Sequence, residues 1–289
     1  MLEFDFLTPN RLDESTAILE ETGGCILAGG TDLIPKMRND LFFAPILVDL
    51  SNIDELSFIE EKDDQIVIGA LTTHQAIAES ALLKSTNPAL VTAAGTVGCV
   101  QTRNRGTLGG NIANASPAAD SVPPLLVYDA QIRLLNKAGE RTMPLTEFLV
   151  GPGMTKLESG ELIHSVSFSQ LQGAWGGAFQ KLGVRNGMAI AVVSVAAAIV
   201  LDASGKVSDT RLALGSVAST VVRSPKAESA LIGHEPTPEV VSRAAEACAE
   251  DISPISDVRS TAEYRRHAAI VLARRVLEQA AAEARGRLV

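Results

Sequence analysis

The chain has 289 residues, 46% of them hydrophobic and only 4% aromatic, with a formal net charge of −9 and a pI near 5.0. That length suggests about two domains, with aliphatic, alanine-rich cores. The acidic balance argues against a nucleic-acid partner, because phosphate binding needs a basic face. The N-terminal MLEFDF carries acids and no basic stretch, unlike a secretory signal. The longest apolar run, MAIAVVSVAAAIVL at 188–201, is too short for a transmembrane segment and reads as a long buried strand. Cys25, Cys99 and Cys248 form no CxxC pair, and His74, His164, His234 and His267 show no clustered spacing. Neither a zinc site nor a cysteine-ligated cluster is expected. Dispersed, odd-numbered cysteines in an acidic chain read as a reducing, cytoplasmic setting.

In chain order, FLTPNRLDESTAILEETGG predicts a helix capped by Thr8 or Asn10 and stopped by Gly23 and Gly24. CILAG follows as a short buried strand. TDLIPKMRND opens a helix that tolerates Pro35 only in its first turn, with Asp32 as a candidate cap. ILVDLSNI, 46–53, is a further strand, so residues 1–53 read as a small βαβ-type unit. QIVIGALT predicts a strand, THQAIAES a helix start, and PALVTAAGTVG, 88–98, a small-residue helix led by Pro88. Residues 101–128 lack periodicity and hold three glycines and three prolines, which predicts a long functional loop. AQIRLLNKAGERTMPL is a hairpin turning at KAGE, and GELIHSVSF a strand. Glycine-rich QLQGAWGG, 170–177, marks a domain boundary. Beyond it, AFQKLG, the 188–201 run and TRLALGSVA predict three antiparallel strands. Three helices close the chain, the last capped from Ser260 or Thr261.

CILAGGTDL and RGTLGGNIANASPAAD each set paired glycines beside small polar residues. Glycine lets a backbone approach a ligand closely, and backbone N–H groups hold anions without lysine. Two such loops, Gly29–Gly30 and Gly109–Gly110, can grip one diphosphate from both sides; the alternative is a pair of ordinary turns. No GK[ST] follows, so neither loop is a P-loop. GxGxxG is absent after the first strand, which excludes the Rossmann fingerprint.

AGGTDL at 28–33, RNRGTLGGNIANASPAAD at 103–120 and FQKLGVRNGMAIAVVSVAAAI at 179–199 closely resemble the FAD-binding medium subunits of molybdenum hydroxylases. That family is similar across carbon monoxide dehydrogenase, nicotinate dehydrogenase and xanthine dehydrogenase, and the resemblance covers nearly the whole chain. It implies an α+β fold. A vanillyl-alcohol-oxidase/PCMH-type FAD-binding domain would span 1–170, in subdomains of about 1–55 and 56–170. A C-terminal domain over 175–289 would hold a three-stranded antiparallel sheet with helices. By resemblance, Leu27, Ala28, Gly29, Gly30, Thr31, Asp32 and Leu33 wrap the FAD diphosphate. Thr107, Leu108, Gly109, Gly110 and Asn111 touch the diphosphate and the flavin side. Asp120 would hold a ribose or adenosine hydroxyl, with a helix cap before VPPLL as its alternative. Lys181 would lie near the pyrimidine end of the flavin, with a solvent-facing strand lysine as its alternative. Leu162 and Ile163 match the apolar adenine contact, or simply pack a core. Val97, beside Gly98, stands where some relatives place an aromatic residue over the ring. Asn186, Gly187, Met188 and Ile190 likewise leave open what stacks there. No histidine is placed for covalent attachment, so FAD is expected to be non-covalent, with no metal and no catalytic residue of the chain's own.

The implied role is electron transfer inside a larger enzyme. An iron–sulfur small subunit would supply electrons through [2Fe–2S] clusters, and a molybdopterin large subunit would carry the molybdenum cofactor. NAD+, a quinone or another acceptor would take the electrons. One alternative is a stand-alone FAD-dependent reductase of the same superfamily, such as a cell-wall enolpyruvyl reductase, with Arg103, Arg105 and Arg185 as substrate clamps. Another is a subunit that has lost FAD, against which the glycine loops and Asp120 speak.

Overall fold

The computed structural model describes residues 3–288; Met1 and Leu2 of the MLEFDF stretch, and Val289, lie outside the described residues. The first unit runs β1 (Asp5–Leu7), α1 (Leu12–Thr22), β2 (Cys25–Leu27), α2 (Leu33–Arg38) and β3 (Ile46–Asp49). Its three strands are parallel in the order β1-β3-β2. Helix α1 buries Leu19 against Val48, Leu50, Ile53 and Leu56. It ends where Gly23 turns left-handed at φ 61° and donates to the Leu19 carbonyl, a conformation that favours glycine. Its start differs from the sequence pattern. Strand β1 takes part of the expected helix, Arg11 precedes the first turn, and neither Thr8 nor Asn10 caps it. The Glu14 carboxylate instead accepts from the Asn10 N–H. In α2, Pro35 does lie in the first turn, while the Asp32 side chain makes no cap bond.

The second unit carries a five-stranded antiparallel sheet. Its strands are β4 (Ile59–Lys62), β5 (Gln65–Gly69), β6 (Gln131–Asn136) and β7 (Gly139–Pro144), the short pair β8 (Leu149–Gly151) and β9 (Met154–Thr155), and β10 (Leu162–Ser169). The sheet order is β4-β5-β10-β6-β7, with β8 and β9 pairing separately. Between β5 and β6 lie α3 (His74–Glu79), α4 (Ala81–Thr86), α5 (Pro88–Gly95), α6 (Val100–Arg103), α7 (Leu108–Ala113) and α8 (Val122–Leu126), and α9 (Leu145–Phe148) follows β7. The expected loop over 101–128 is therefore corrected: it folds into α7 and α8, with most of α6. Helices of four to six residues span little more than one turn of 3.6, too few for periodicity to register. Side chains of Thr73, Ser80, Asn87 and Thr107 each accept from the first turn of the helix they precede, which supports elements too short to persist alone.

The third unit is the antiparallel sheet β11 (Ala174–Gly183), β12 (Ala191–Leu201), β13 (Val207–Gly215) and β14 (Val222–Arg223), in that order. The three expected strands thus gain a fourth, whose two residues pair with Ala213 and Leu214 and are too few to show a pattern. The helices are α10 (Pro225–Leu231), α11 (Pro238–Ala247) and α12 (Ala262–Arg285), the last capped by Thr261 rather than Ser260. Gly176 and Gly177 of the expected boundary lie inside β11, and a Cβ on Gly176 would overlap the Ala280 carbonyl of α12. Strand β11 also packs on α5, and β12 on α8. The third unit therefore closes one side of the second. Among the described residues no helix is long and apolar enough to cross a membrane.

Candidate functional site

A cavity of about 660 Å³ runs between the units, inside the range of roughly 300–1,000 Å³ usual for ligand sites. Ala28, Gly29, Gly30, Thr31, Asp32 and Leu33 form one wall. Thr107, Gly109, Gly110 and Asn111 form the facing wall. Val97, Gly98, Asp120, Leu162 and Ile163 complete it. Segments more than 130 residues apart in sequence thus meet at one place. Three expected residues stand back from it. Leu27 ends β2, its carbonyl taken by the Leu50 N–H. Leu108 is fully buried in the core. Lys181 reaches the cavity only through Asp120.

Each glycine pair divides its duties. A Cβ on Gly29 would overlap the Arg105 carbonyl, so the two loops touch backbone to backbone. Gly30 turns left-handed at φ 71°. Gly109 packs on Ala70, where a Cβ would lie 2.7 Å from the Ala70 Cβ. A Cβ on Gly110 would meet Thr107 Oγ1 at 2.9 Å and Ala28 Cβ at 3.9 Å, looking across the cavity.

The backbone donors are unequally placed. The N–H groups of Gly29, Gly30, Thr31, Asp32 and Leu33 have no acceptor among the described residues. In the second loop the four donors after Thr107 are used. Leu108 donates to Thr72 O, Gly109 to Ala70 O, Gly110 to Thr107 Oγ1 and Asn111 to Thr107 O. The expectation that both loops grip an anion through N–H groups is narrowed: the first loop leaves five without a protein acceptor, while the second spends those of Leu108–Asn111 on the protein and offers a close wall of small residues. Five successive donors without a protein acceptor, on residues that are half-buried or, at Asp32, exposed, are able to form an anion-binding concavity. Asn111 accepts from the Ser121 hydroxyl at 2.6 Å, which leaves its amide hydrogens for a ligand.

Asp120 is only 7% exposed and pairs with Lys181, which also donates to the Thr96 carbonyl at 3.2 Å. The other carboxylate oxygen, Oδ1, is buried without a partner. Burial lifts the Asp120 carboxyl to about 6 against the pull of Lys181. Both bland alternatives fail. Ser121, not Asp120, precedes α8, and the Lys181 side chain is 8% exposed rather than solvent-facing. An orphaned buried acceptor fits a ligand hydroxyl.

His74 carried no assigned role in the sequence, yet its ring lines the cavity and is 2% exposed. Its Nδ1 has no partner. Burial, helped by the charge of Arg103, lowers its pKa to about 4. A histidine with a folded pKa below its unfolded value of about 6.5 stabilises the fold fully above that pH and loses its contribution as pH falls toward 4. The shift is worth roughly 3 kcal/mol. The urea midpoint of the ligand-free chain is therefore expected to drop between about pH 6.5 and 4, and less steeply in His74→Gln. The signal in sequence is TTH, three residues beyond the end of β5 and indistinguishable there from a helix start.

The three arginines considered as substrate clamps do not line the cavity. Arg103 donates to Gln75 and the Val97 carbonyl, and Arg185 to the Met188 carbonyl. Arg105 meets the first loop through its backbone. Among the described residues no group of histidine, cysteine and acidic side chains is placed to hold a metal.

A family profile described as "FAD binding domain in molybdopterin dehydrogenase" matches residues 2–169. A second, "CO dehydrogenase flavoprotein C-terminal domain", matches residues 178–280. The carbon monoxide dehydrogenase medium chain of Hydrogenophaga pseudoflava is 33% identical over 96% of this chain and 96% of its own. The xanthine dehydrogenase FAD-binding subunit of Escherichia coli O157:H7 is 32% identical over 99% of both. Among solved structures, the carbon monoxide dehydrogenase from H. pseudoflava that lacks the Mo-pyranopterin moiety of the molybdenum cofactor superposes with a TM-score of 0.93. It is 32% identical, over 98% of each chain.

Proposed function

The chain belongs to the FAD-binding medium subunits of the molybdenum hydroxylases, and on that premise we propose that it holds FAD non-covalently in this cavity and relays electrons through it. The observation that carries the reading is the run of five unpaired N–H groups at Gly29–Leu33. These would hold the diphosphate. Gly110 would let the dinucleotide lie close, and the apolar wall of Leu162 and Ile163 would take the adenine. Asp120 would accept a hydroxyl through its free oxygen. The ion pair supports a shared role for Asp120 and Lys181, which would act at one place, toward the flavin end. Lys181, shielded from water, supplies a cation there. FAD, when bound, exchanges both one and two electrons, chemistry that no side chain provides.

The electron source would be a small subunit with [2Fe–2S] clusters, beside a large subunit with the molybdenum cofactor, since the cysteines here are dispersed. NAD+ or a quinone would accept the electrons. The setting would be cytoplasmic. The FAD domain would span 1–170, divided near residue 55, and the C-terminal domain 175–289. The stand-alone reductase reading loses its support, because the cavity lacks the three arginines it invoked.

Gly110→Val tests the site. It is expected to abolish FAD retention in a chain whose circular dichroism remains native, because the branched side chain enters the cavity opposite Ala28. Wild-type flavin content in the folded variant would remove the second loop from the site.

A further inference from the structure

An imidazole buried without a hydrogen-bond partner is costly unless something absent from the free protein satisfies it. His74 is such a group, and its position indicates what that partner is. Its ring sits where the two glycine loops meet. A Cβ on Gly106 would lie 3.2 Å from His74 Cδ2 and 3.3 Å from Thr31 Oγ1, and the His74 N–H donates to the Gly106 carbonyl. Thr31 belongs to the loop whose N–H groups are unpaired. The imidazole therefore adjoins the anion-binding concavity.

The other ionisable groups at the cavity are engaged or of the wrong sign. Lys36 donates to Asn114 Oδ1 at 2.6 Å. Glu161 pairs with Arg141, and so does Glu158. Asp120 pairs with Lys181. Asp32 adds negative charge on the first-loop side. Arg103, on α6 against α3, is the cation that opposes a proton on His74. In a chain of net charge −9, no diffuse positive field neutralises a diphosphate. His74 is the lining group able to gain a positive charge with no partner to give up.

We propose that His74 is a further cofactor-binding residue: as FAD enters, its imidazole takes up one proton from solvent and holds the diphosphate together with the first-loop N–H groups. The proposal rests on reading the cavity as the FAD site. The proton goes onto a ring nitrogen, no bond breaks in the ligand, and the imidazolium charge offsets one of the two diphosphate charges. The free protein keeps the ring neutral, so a chain without FAD does not bury an uncompensated cation.

Linkage makes this measurable. While pH lies between the free and bound pKa values of the group, FAD affinity should fall about tenfold for each pH unit of increase. The experiment is calorimetric titration of the full chain with FAD near pH 6 and 7, in buffers of differing ionisation enthalpy, for wild type and His74→Gln. Wild type is expected to take up close to one proton more than the variant, which keeps an amide donor but cannot titrate. Asp120 is unchanged in both, so any proton it exchanges cancels in the comparison. The same slope in the two proteins would overturn the proposal. Should His74→Gln fail to fold, nitrogen-15 spectra of the wild-type imidazole decide instead. A ring that becomes imidazolium on adding FAD supports the proposal, and one that stays neutral overturns it. If wild type binds no FAD at all, the site reading falls first, and this inference with it.

Discussion

Gly29→Ala is expected to abolish FAD retention and to destabilise the fold, a larger effect than any other single glycine change in the two loops. Its Cβ would overlap the carbonyl oxygen and carbon of Arg105. That obstacle is backbone, not the tip of a flexible side chain, so relief requires the 103–107 segment to move. The segment is held by the Gly106 N–H on Thr102 O, the His74 N–H on Gly106 O and the Leu108 N–H on Thr72 O. Overpacking of this kind costs about 1–3 kcal/mol. Moving the second loop also opens the cavity wall at Thr107–Asn111. The check is flavin content together with the urea midpoint. A variant with a native midpoint and full flavin would show that the two loops do not need to touch.

The second large effect concerns the buried ion pair. Asp120→Leu is expected to cost roughly 3–5 kcal/mol, because it leaves the Lys181 ammonium buried against one carbonyl. The pair itself is not a strong stabiliser. Burial raises the Asp120 carboxyl to about 6 despite the adjacent cation. An acid with a raised folded pKa makes the fold less stable as pH climbs from about 3.8 toward 6. The double variant Asp120→Leu/Lys181→Met should therefore regain most of the stability lost in the single variant. It should not regain FAD, because the free acceptor and the cation are both gone. Urea unfolding and flavin titration of the three proteins separate these outcomes. Recovery of FAD binding in the double variant would make the pair purely structural.

The same pair shows where sequence reading reached and where it stopped. Asp120 and Lys181 were individually identifiable from the motifs around them, but each carried a bland alternative. Only the fold, by packing β11 on α5 and β12 on α8, joins residues 61 positions apart and removes both alternatives. The glycine loops behaved similarly. Their glycines marked close approach, but not what is approached: Gly29 and Gly109 meet the protein's own backbone, while Gly110 looks across the cavity. Long apolar strands such as β12 were readable because nearly every residue is buried. Strand β14 and helices α6–α8 were not, since so few residues carry no period. The site position of His74 is not legible in sequence, because burial and a missing partner are properties of the folded chain alone.

The central claim is that the cavity between the glycine loops holds FAD without a covalent bond. The most direct measurement is the visible absorption spectrum of the purified chain, with and without added FAD, followed by denaturation and filtration. Flavin bands that bind to the folded chain and leave with the small-molecule fraction are the predicted result. Flavin that stays with the denatured chain, or a folded chain that takes up none even with FAD in excess, would contradict it.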